Sequence, residues 1–194
     1  MRKLIVTNIV SLDGYIAGPG GDVMAMPMDH AFDESNAEHM RAAGTILLGA
    51  TTYRGFLSFW PDALDLPGLT KPSEEIATIY RDGIETVVVS DSLTADETGV
   101  WRDSTTIVPR AEAHAAVAEL KAGEGGDILV FGSATLWNDL LAAGLVDELH
   151  LMVGPVVLGD GTPAFRDGVT AAGLRQADVR RWDGSENVLL SYAL

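Results

Sequence analysis

The chain predicts an α/β fold in three layers: a mostly parallel mixed sheet with an antiparallel C-terminal edge and helices on both faces. Three observations carry this. Short apolar runs rich in Val, Ile and Leu alternate with segments of helical period, the mark of strand–helix–strand units. Several of these runs stop at a glycine or a hydroxyl residue and pass straight into the next helical pattern, as at Phe131-Gly132-Ser133. The closing stretch instead holds two strands, near Arg175–Arg181 and Asn187–Tyr192, joined through the hairpin signal Asp183-Gly184.

Taken in order, Leu4 to Ile9 reads as a strand in the middle of the sheet. The stretch Ser11-Leu12-Asp13-Gly14-Tyr15-Ile16-Ala17, followed by Gly18-Pro19-Gly20-Gly21, specifies a loop able to cover a ligand; Asp13 either carries chemistry there or caps the turn. From His30 to Ala43 a helix starts at Asp29 and stops at Gly44, with His30 and His39 on the surface. Thr45–Leu48 is the next strand, and it runs into Gly49-Ala50-Thr51-Thr52-Tyr53 in the same manner as the later Gly132 turn. The helix that follows ends in Phe56, Phe59, Trp60 and Pro61, a cluster that faces an apolar substrate or buries a helix end.

Residues 62–83 form an irregular connection containing one helix, Ser73–Arg81. Thr86–Ser90 and Thr105–Val108 are strands, and Arg110–Lys121 is a helix ended by Gly123. Ile128–Phe131 is too short for a helix and suits a strand buried on both faces. Beyond Gly132 the period changes: Leu136, Leu140, Leu141 and Leu145 make one helical stripe, with Ser133 or Thr135 at its start. Gly132 either makes a tight connection or lets an anion approach the free N–H groups of the helix. Val146–Val153 forms a strand, and Val156-Val157-Leu158 leads into the glycine-rich loop Gly159–Phe165.

With 194 residues and 47% hydrophobic content, the chain suits one domain spanning residues 1–194. It has no cysteine, which removes disulfides, thiolate metal sites and Cys nucleophiles, and no histidine pairing has persuasive metal-ligand spacing. A formal charge of −15 argues against an exposed nucleic-acid surface. No apolar run reaches membrane-spanning length, and Asn8 interrupts what would be a signal peptide's apolar core, so a cytoplasmic protein is expected.

These pieces resemble the dihydrofolate reductase-like family, and more closely its branch related to the C-terminal reductase domain of the bifunctional riboflavin-biosynthesis deaminase/reductase. The similarity spans nearly the whole chain. It is carried by Ser11–Ala17, Leu48–Tyr53, Val88-Val89-Ser90, Phe131–Ala134, Gly144–Leu149 and Pro155–Gly161, in shared order and spacing. The resemblance implies an oxidoreductase that moves a hydride from NADPH or NADH to a small pterin-like or ribosylaminopyrimidine-like substrate, and a homodimer. Carried over by position, Gly49, Thr51 and Thr52 would hold the cofactor's phosphates, Gly132, Ser133, Ala134 and Thr135 its pyrophosphate, and Ser90 its adenosine ribose. Asn8, Asp13 and Tyr15 would face nicotinamide and substrate, with Asp13 as proton donor directly or through water, and the Gly159–Phe165 loop would close the substrate side; of the aromatic cluster, Trp60 is the candidate to contact the substrate.

The chain departs from the family at two positions. Ala50 stands where the family commonly has Arg, and Asp91 where a basic residue often follows the serine; both positions grip the 2′-phosphate of NADPH. Asp91 suits the hydroxyl of an unphosphorylated ribose. NADH use or lost cofactor binding is therefore open, with Arg54, one turn further on, as a replacement cation. The rival reading from another class is a non-catalytic dimeric protein that binds a nucleotide or pterin.

Overall fold

The computed structural model describes residues 1–166 and 173–194. Its strands are β1 (Leu4–Ser11), β2 (Tyr15–Ala17), β3 (Ala43–Gly49), β4 (Glu85–Val89), β5 (Thr105–Val108), β6 (Asp127–Phe131), β7 (Glu148–Gly154), β8 (Thr162–Pro163), β9 (Arg175–Arg181) and β10 (Val188–Ala193). The α-helices are α1 (His30–Ala42), α2 (Ala50–Leu57), α3 (Lys71–Arg81), α4 (Ala113–Ala122) and α5 (Ala134–Ala142).

One sheet runs β5-β4-β3-β6-β1-β7-β10-β9, parallel from β5 to β7 and antiparallel beyond, as the sequence predicts. The chain steps outward from β1 through β3, β4 and β5, then returns to insert β6 between β3 and β1. Right-handed crossovers consequently send α1 and α3 to one face and α4 and α5 to the other. Reversal of strand order also opens a crevice at the carboxyl ends of β3 and β6, where open α/β sheets bind ligands.

Alternation along β1 supplies both layers. Leu4, Val6 and Val10 enter the cluster with Val117, Trp137 and Leu140, while Ile5 joins Met40, Ile76 and Tyr80 on the opposite face. A smaller cluster of Ile9, Met26, Ala31, Met152 and Leu189 closes the antiparallel end. Every residue of β1 is buried, the polar Thr7, Asn8 and Ser11 included, which explains why the strand does not alternate apolar with polar residues.

The differences from expectation have local causes. Gly44 does not stop α1: the chain passes from Ala42 directly into β3, and Gly44 lies within that strand. A Cβ at Gly44 would come 2.7 Å from the Gly126 nitrogen, and one at Gly126 would come 2.4 Å from the Ala42 oxygen, so both glycines serve close backbone approach. The α3 helix begins two residues before Ser73, because Thr70 caps it and Pro72 sits in its first turn. Within the loop predicted for Gly159–Phe165 lies a short strand, β8, which pairs with β2.

His39 is not a surface residue. Its Nδ1 faces the Ser35 carbonyl at 2.6 Å, and its Nε2 lies 2.6 Å from Nδ1 of His150 on β7. A carbonyl only accepts, so a His39 proton sits on Nδ1, and the Glu148 carboxylate, 2.9 Å from His150 Nε2, likewise calls for a proton there. Burial, followed by the neighbouring His150, holds the His39 pKa below its ordinary value.

Candidate functional site

At the β3/β6 crevice two turns are bonded crosswise. The Gly49 N–H donates to Ser133 Oγ at 3.0 Å, and the Ser133 N–H donates to Thr52 Oγ1 at 3.0 Å. Gly132 has φ +50°, and a Cβ there would stand 2.9 Å from Thr52 Oγ1, so only glycine brings the turns this close. Ser133 itself is left-handed at φ +48°, the one non-glycine residue of positive φ among the described residues.

This cross-bonding has a chemical consequence. Gly49 and Ser133 are the N-caps of α2 and α5, yet neither helix receives a side-chain cap. In α5 the Leu136 N–H turns back to the Ser133 carbonyl at 2.9 Å, which leaves the Ala134 and Thr135 N–H groups at the helix start, and the positive ends of two helix dipoles converge on one crevice. Such a donor set fits a pyrophosphate. The predicted residues Gly49, Thr51, Thr52, Gly132, Ser133, Ala134 and Thr135 come together here, although the Thr52 and Ser133 hydroxyls brace the turns rather than face outward as donors. Asn8, buried on β1, joins them through a long contact from Nδ2 to the Gly132 carbonyl, 3.4 Å.

Asp13 has a different occupation from the proton donor expected. Its Oδ1 accepts from Ser11 Oγ at 2.7 Å and from the Leu158 N–H at 3.0 Å, and its Oδ2 accepts from the Gly159 N–H at 2.7 Å. The Ser11 hydroxyl first, then the Gly159 and Leu158 amides, bring this exposed carboxyl down to about 2. In this arrangement both of its oxygens act as acceptors. Two further bonds, Leu12 N–H to the Val156 carbonyl and Ala164 N–H to the Gly14 carbonyl, complete a clamp between the loops. Tyr15 belongs to the same clamp: its N–H donates to Ser11 Oγ at 2.9 Å and it pairs with Pro163.

At the β4 exit, Ser90 is likewise committed. Its Oγ accepts the N–H groups of Ser92 and Leu93 at 3.1 and 3.0 Å, which makes it a turn-former and not an outward-facing ribose contact. Asp91 accepts the Arg110 N–H at 2.9 Å. Arg54 is spent on Glu97, donating from Nε and Nη2 at 3.2 and 2.9 Å, so it does not replace the basic residue missing at Ala50. Trp60 lies in an aromatic column, stacked on Tyr80, which stacks on Trp101 at centroid distances of 5.7 and 4.8 Å. Of the two readings of the aromatic cluster, burial of a helix end describes Trp60.

Sequence reasoning passed over Arg110 and the Leu158 and Gly159 amides. Arg110 was within reach: it follows Val108-Pro109 at a strand exit as Asp91 follows Val89-Ser90, and comparing exits of adjacent strands finds the pair. Among the described residues no three His, Cys, Asp or Glu side chains are grouped to hold a metal, and no helix is long and apolar enough to cross a membrane.

Comparison with known proteins agrees with this architecture. The profile of the RibD C-terminal domain matches residues 2–189. Uncharacterized protein YyaP of Bacillus subtilis (strain 168) is 29% identical over 179 residues, covering 92% of this chain and 88% of that protein. Among solved structures, a putative riboflavin biosynthesis protein from Shewanella sp. PV-4 superposes with a TM-score of 0.72 at 19% identity, covering 99% of this chain and 98% of the other. The diaminohydroxyphosphoribosylaminopyrimidine deaminase/5-amino-6-(5-phosphoribosylamino)uracil reductase of Thermotoga maritima gives a TM-score of 0.64 at 15% identity, over 99% of this chain but 56% of that one. The shared architecture is the dihydrofolate reductase-like one that the sequence pattern implies.

Proposed function

The chain belongs to the RibD C-terminal domain family, and from that premise we propose that it is an NAD(P)H-dependent reductase of a small pterin-like or aminopyrimidine-like heterocycle. One observation supports this reading above the others: two uncapped helix N-termini, braced by the crossed bonds of Gly49, Thr52 and Ser133, converge where the sheet reverses its strand order. The N–H groups behind Gly49 and Gly132 hold the pyrophosphate, and Asn8 and Tyr15 flank the place where the rings meet. When bound, the reduced nicotinamide supplies the hydride taken up by the acceptor ring.

Asp13 contributes by position. Ionised, it fixes the loop after β1 against Leu158 and Gly159, which shapes the substrate side. The acceptor's proton then comes from solvent, directly or through Asp13.

The reading includes a homodimer in the cytoplasm. Val179, Val188 and Leu190 share one face of the antiparallel edge and lie outside the core clusters, an apolar surface suited to a second copy. Fluorescence titration with NADPH and NADH, followed by oxidation assays with pterin and aminopyrimidine acceptors, tests the proposal. Saturable binding with acceptor-dependent oxidation is expected. Binding without oxidation would favour a non-catalytic nucleotide-binding protein, and absence of binding would overturn the dinucleotide site.

A further inference from the structure

Toward the amino end of β7, away from the crevice, a relay of side chains under α1 holds more bonds than two neutral rings can supply with protons. His39 Nδ1 stands 2.6 Å from the Ser35 carbonyl, His39 Nε2 stands 2.6 Å from His150 Nδ1, and His150 Nε2 stands 2.9 Å from Glu148 Oε2. Both outer partners only accept, one as a carbonyl and the other as a carboxylate. Each outer ring nitrogen therefore needs a proton. Two neutral imidazoles have two between them, which would leave bare lone pairs facing each other across the central 2.6 Å. A third proton is required there, and the short contact is that of a charge-assisted bond.

Other ways to fill the gap fail on distance and charge. Zinc sits about 2.0–2.1 Å from a histidine nitrogen, so two nitrogens sharing one tetrahedral ion stand about 3.3 Å apart. The proton does not belong on Glu148 either. Burial works against that carboxylate, yet the bonds from Lys3, 2.7 Å from Oε1, and from His150 hold its pKa below the ordinary value. Thr7 of β1 and Ser191 of β10 flank His150 in register and are neutral. Charged groups on the packed elements are paired elsewhere: Glu38 with Arg180 of β9, and Arg41 with Glu75 of α3. Glu34 and Asp178 lie toward Arg180, and Asp127 and Asp147 toward Lys3. Among the described residues Glu148 is the one charge bonded to either ring.

We propose that His39 and His150 share one proton beyond the two on their outer nitrogens, and that this singly charged pair, matched to Glu148, is a pH-sensitive catch fastening α1 to β7. Rising pH removes the shared proton, and one bond of the relay must then open. Falling pH meets the opposite limit: burial and the neighbouring ring hold the His39 pKa below its ordinary value, so a fourth proton is resisted. Both steps belong to the pair rather than to either ring. The catch is closed between them. The Glu38–Arg180 pair beside it is exposed and contributes little to holding the helix.

Nitrogen-15 NMR of histidine-labelled protein tests this. The chain has four histidines, and His30 and His114 are exposed, so the double variant His30→Gln/His114→Gln leaves the pair alone in the spectrum. Near neutral pH three protons are expected over its four ring nitrogens, the central two sharing one, and both rings should lose that proton in a single step below about pH 9. Amide protection in the last two turns of α1 should fall about tenfold or more across the step, and in His39→Gln it should be independent of pH over the same range. Two protons throughout, rings that titrate independently, or protection unchanged across the step overturns the proposal. So does a shift of both rings on adding zinc that a chelator reverses, which would make the pair a metal site. The proton count needs no substitution within the pair, so it decides even where His39→Gln does not fold.

Discussion

Two glycine-rich regions share the carboxyl edge of the sheet, and they differ in where their N–H groups point. Around Gly49 and Gly132 the side-chain hydroxyls of Ser133 and Thr52 bond across to the opposite turn, so amides at the start of both helices are left open. Around Asp13 the reverse holds: the Leu158 and Gly159 amides are already taken by a carboxylate of the same chain. A turn whose amides are free can receive an anion; one that supplies its own anion can only be held shut. The first region presents amides outward, the second closes on itself.

Breaking the binding region should give the largest effect. Gly132→Val places a branched side chain at φ +50°, where its Cβ meets Thr52 Oγ1 at 2.9 Å. We expect a stability loss of about 1–3 kcal/mol from the strained backbone. Dinucleotide affinity should fall by at least about a hundredfold, since prising the turns apart removes both helix termini together. Thermal melting and fluorescence titration on the folded variant check this; affinity within a few-fold of wild type would show that the crossed turns do not form the anion site.

The clamp should respond differently. Asp13→Asn keeps one accepting oxygen but turns an NH2 toward an amide that needs an acceptor, so one of the Leu158 and Gly159 bonds is lost. Turnover should drop about ten- to a hundredfold through loop misplacement, with dinucleotide affinity nearly unchanged. The pH dependence separates clamp from acid. The folded pKa lies below the ordinary aspartate value, so the clamp's contribution is complete above 3.8 and is lost as pH falls through about 2. Wild-type activity should therefore show no limb from this group above about pH 4. A neutral-range limb that disappears in Asp13→Asn would return Asp13 to the role of proton donor.

The contrast also explains what the sequence could tell. The Gly49 and Gly132 turns were legible because a glycine and a switch from strand to helix period are local signals, and the hairpin at Asp183-Gly184 was legible for the same reason. Which hydroxyl meets which turn was not. Ser133 reaches Gly49 across 84 residues and Asp13 reaches Gly159 across 146, partnerships set by strand order rather than by neighbouring residues. His39 illustrates the same limit: its surroundings include His150, 111 residues away, and helical period alone leaves it on the surface. Ser90 and Trp60 were correctly placed at element ends, but their types fit a ligand contact and a packing contact equally well, and only the bonds at Ser92, Leu93 and Tyr80 distinguish the two.

Arg54 sharpens the comparison from the opposite side, with the smallest effect. It stands on α2 one turn beyond the open amides, where charge alone would make it a phosphate ligand in a chain of net charge −15. Its guanidinium is instead held by Glu97, whose other oxygen accepts the Thr94 N–H at 2.9 Å in a capping box. Hydrogen bonds from Thr94, ahead of those from Arg54, keep the Glu97 carboxyl below its ordinary value, so the pair persists as pH falls past 4.5. Both partners are exposed, and exposed pairs contribute little, so Arg54→Ala should move Tm by no more than about 2 °C. Affinity for NADP⁺ and NAD⁺ should stay within about twofold. A selective loss of NADP⁺ binding in Arg54→Ala would mean that Arg54 leaves Glu97 for the cofactor's phosphate, and the binding turn would then carry its own cation.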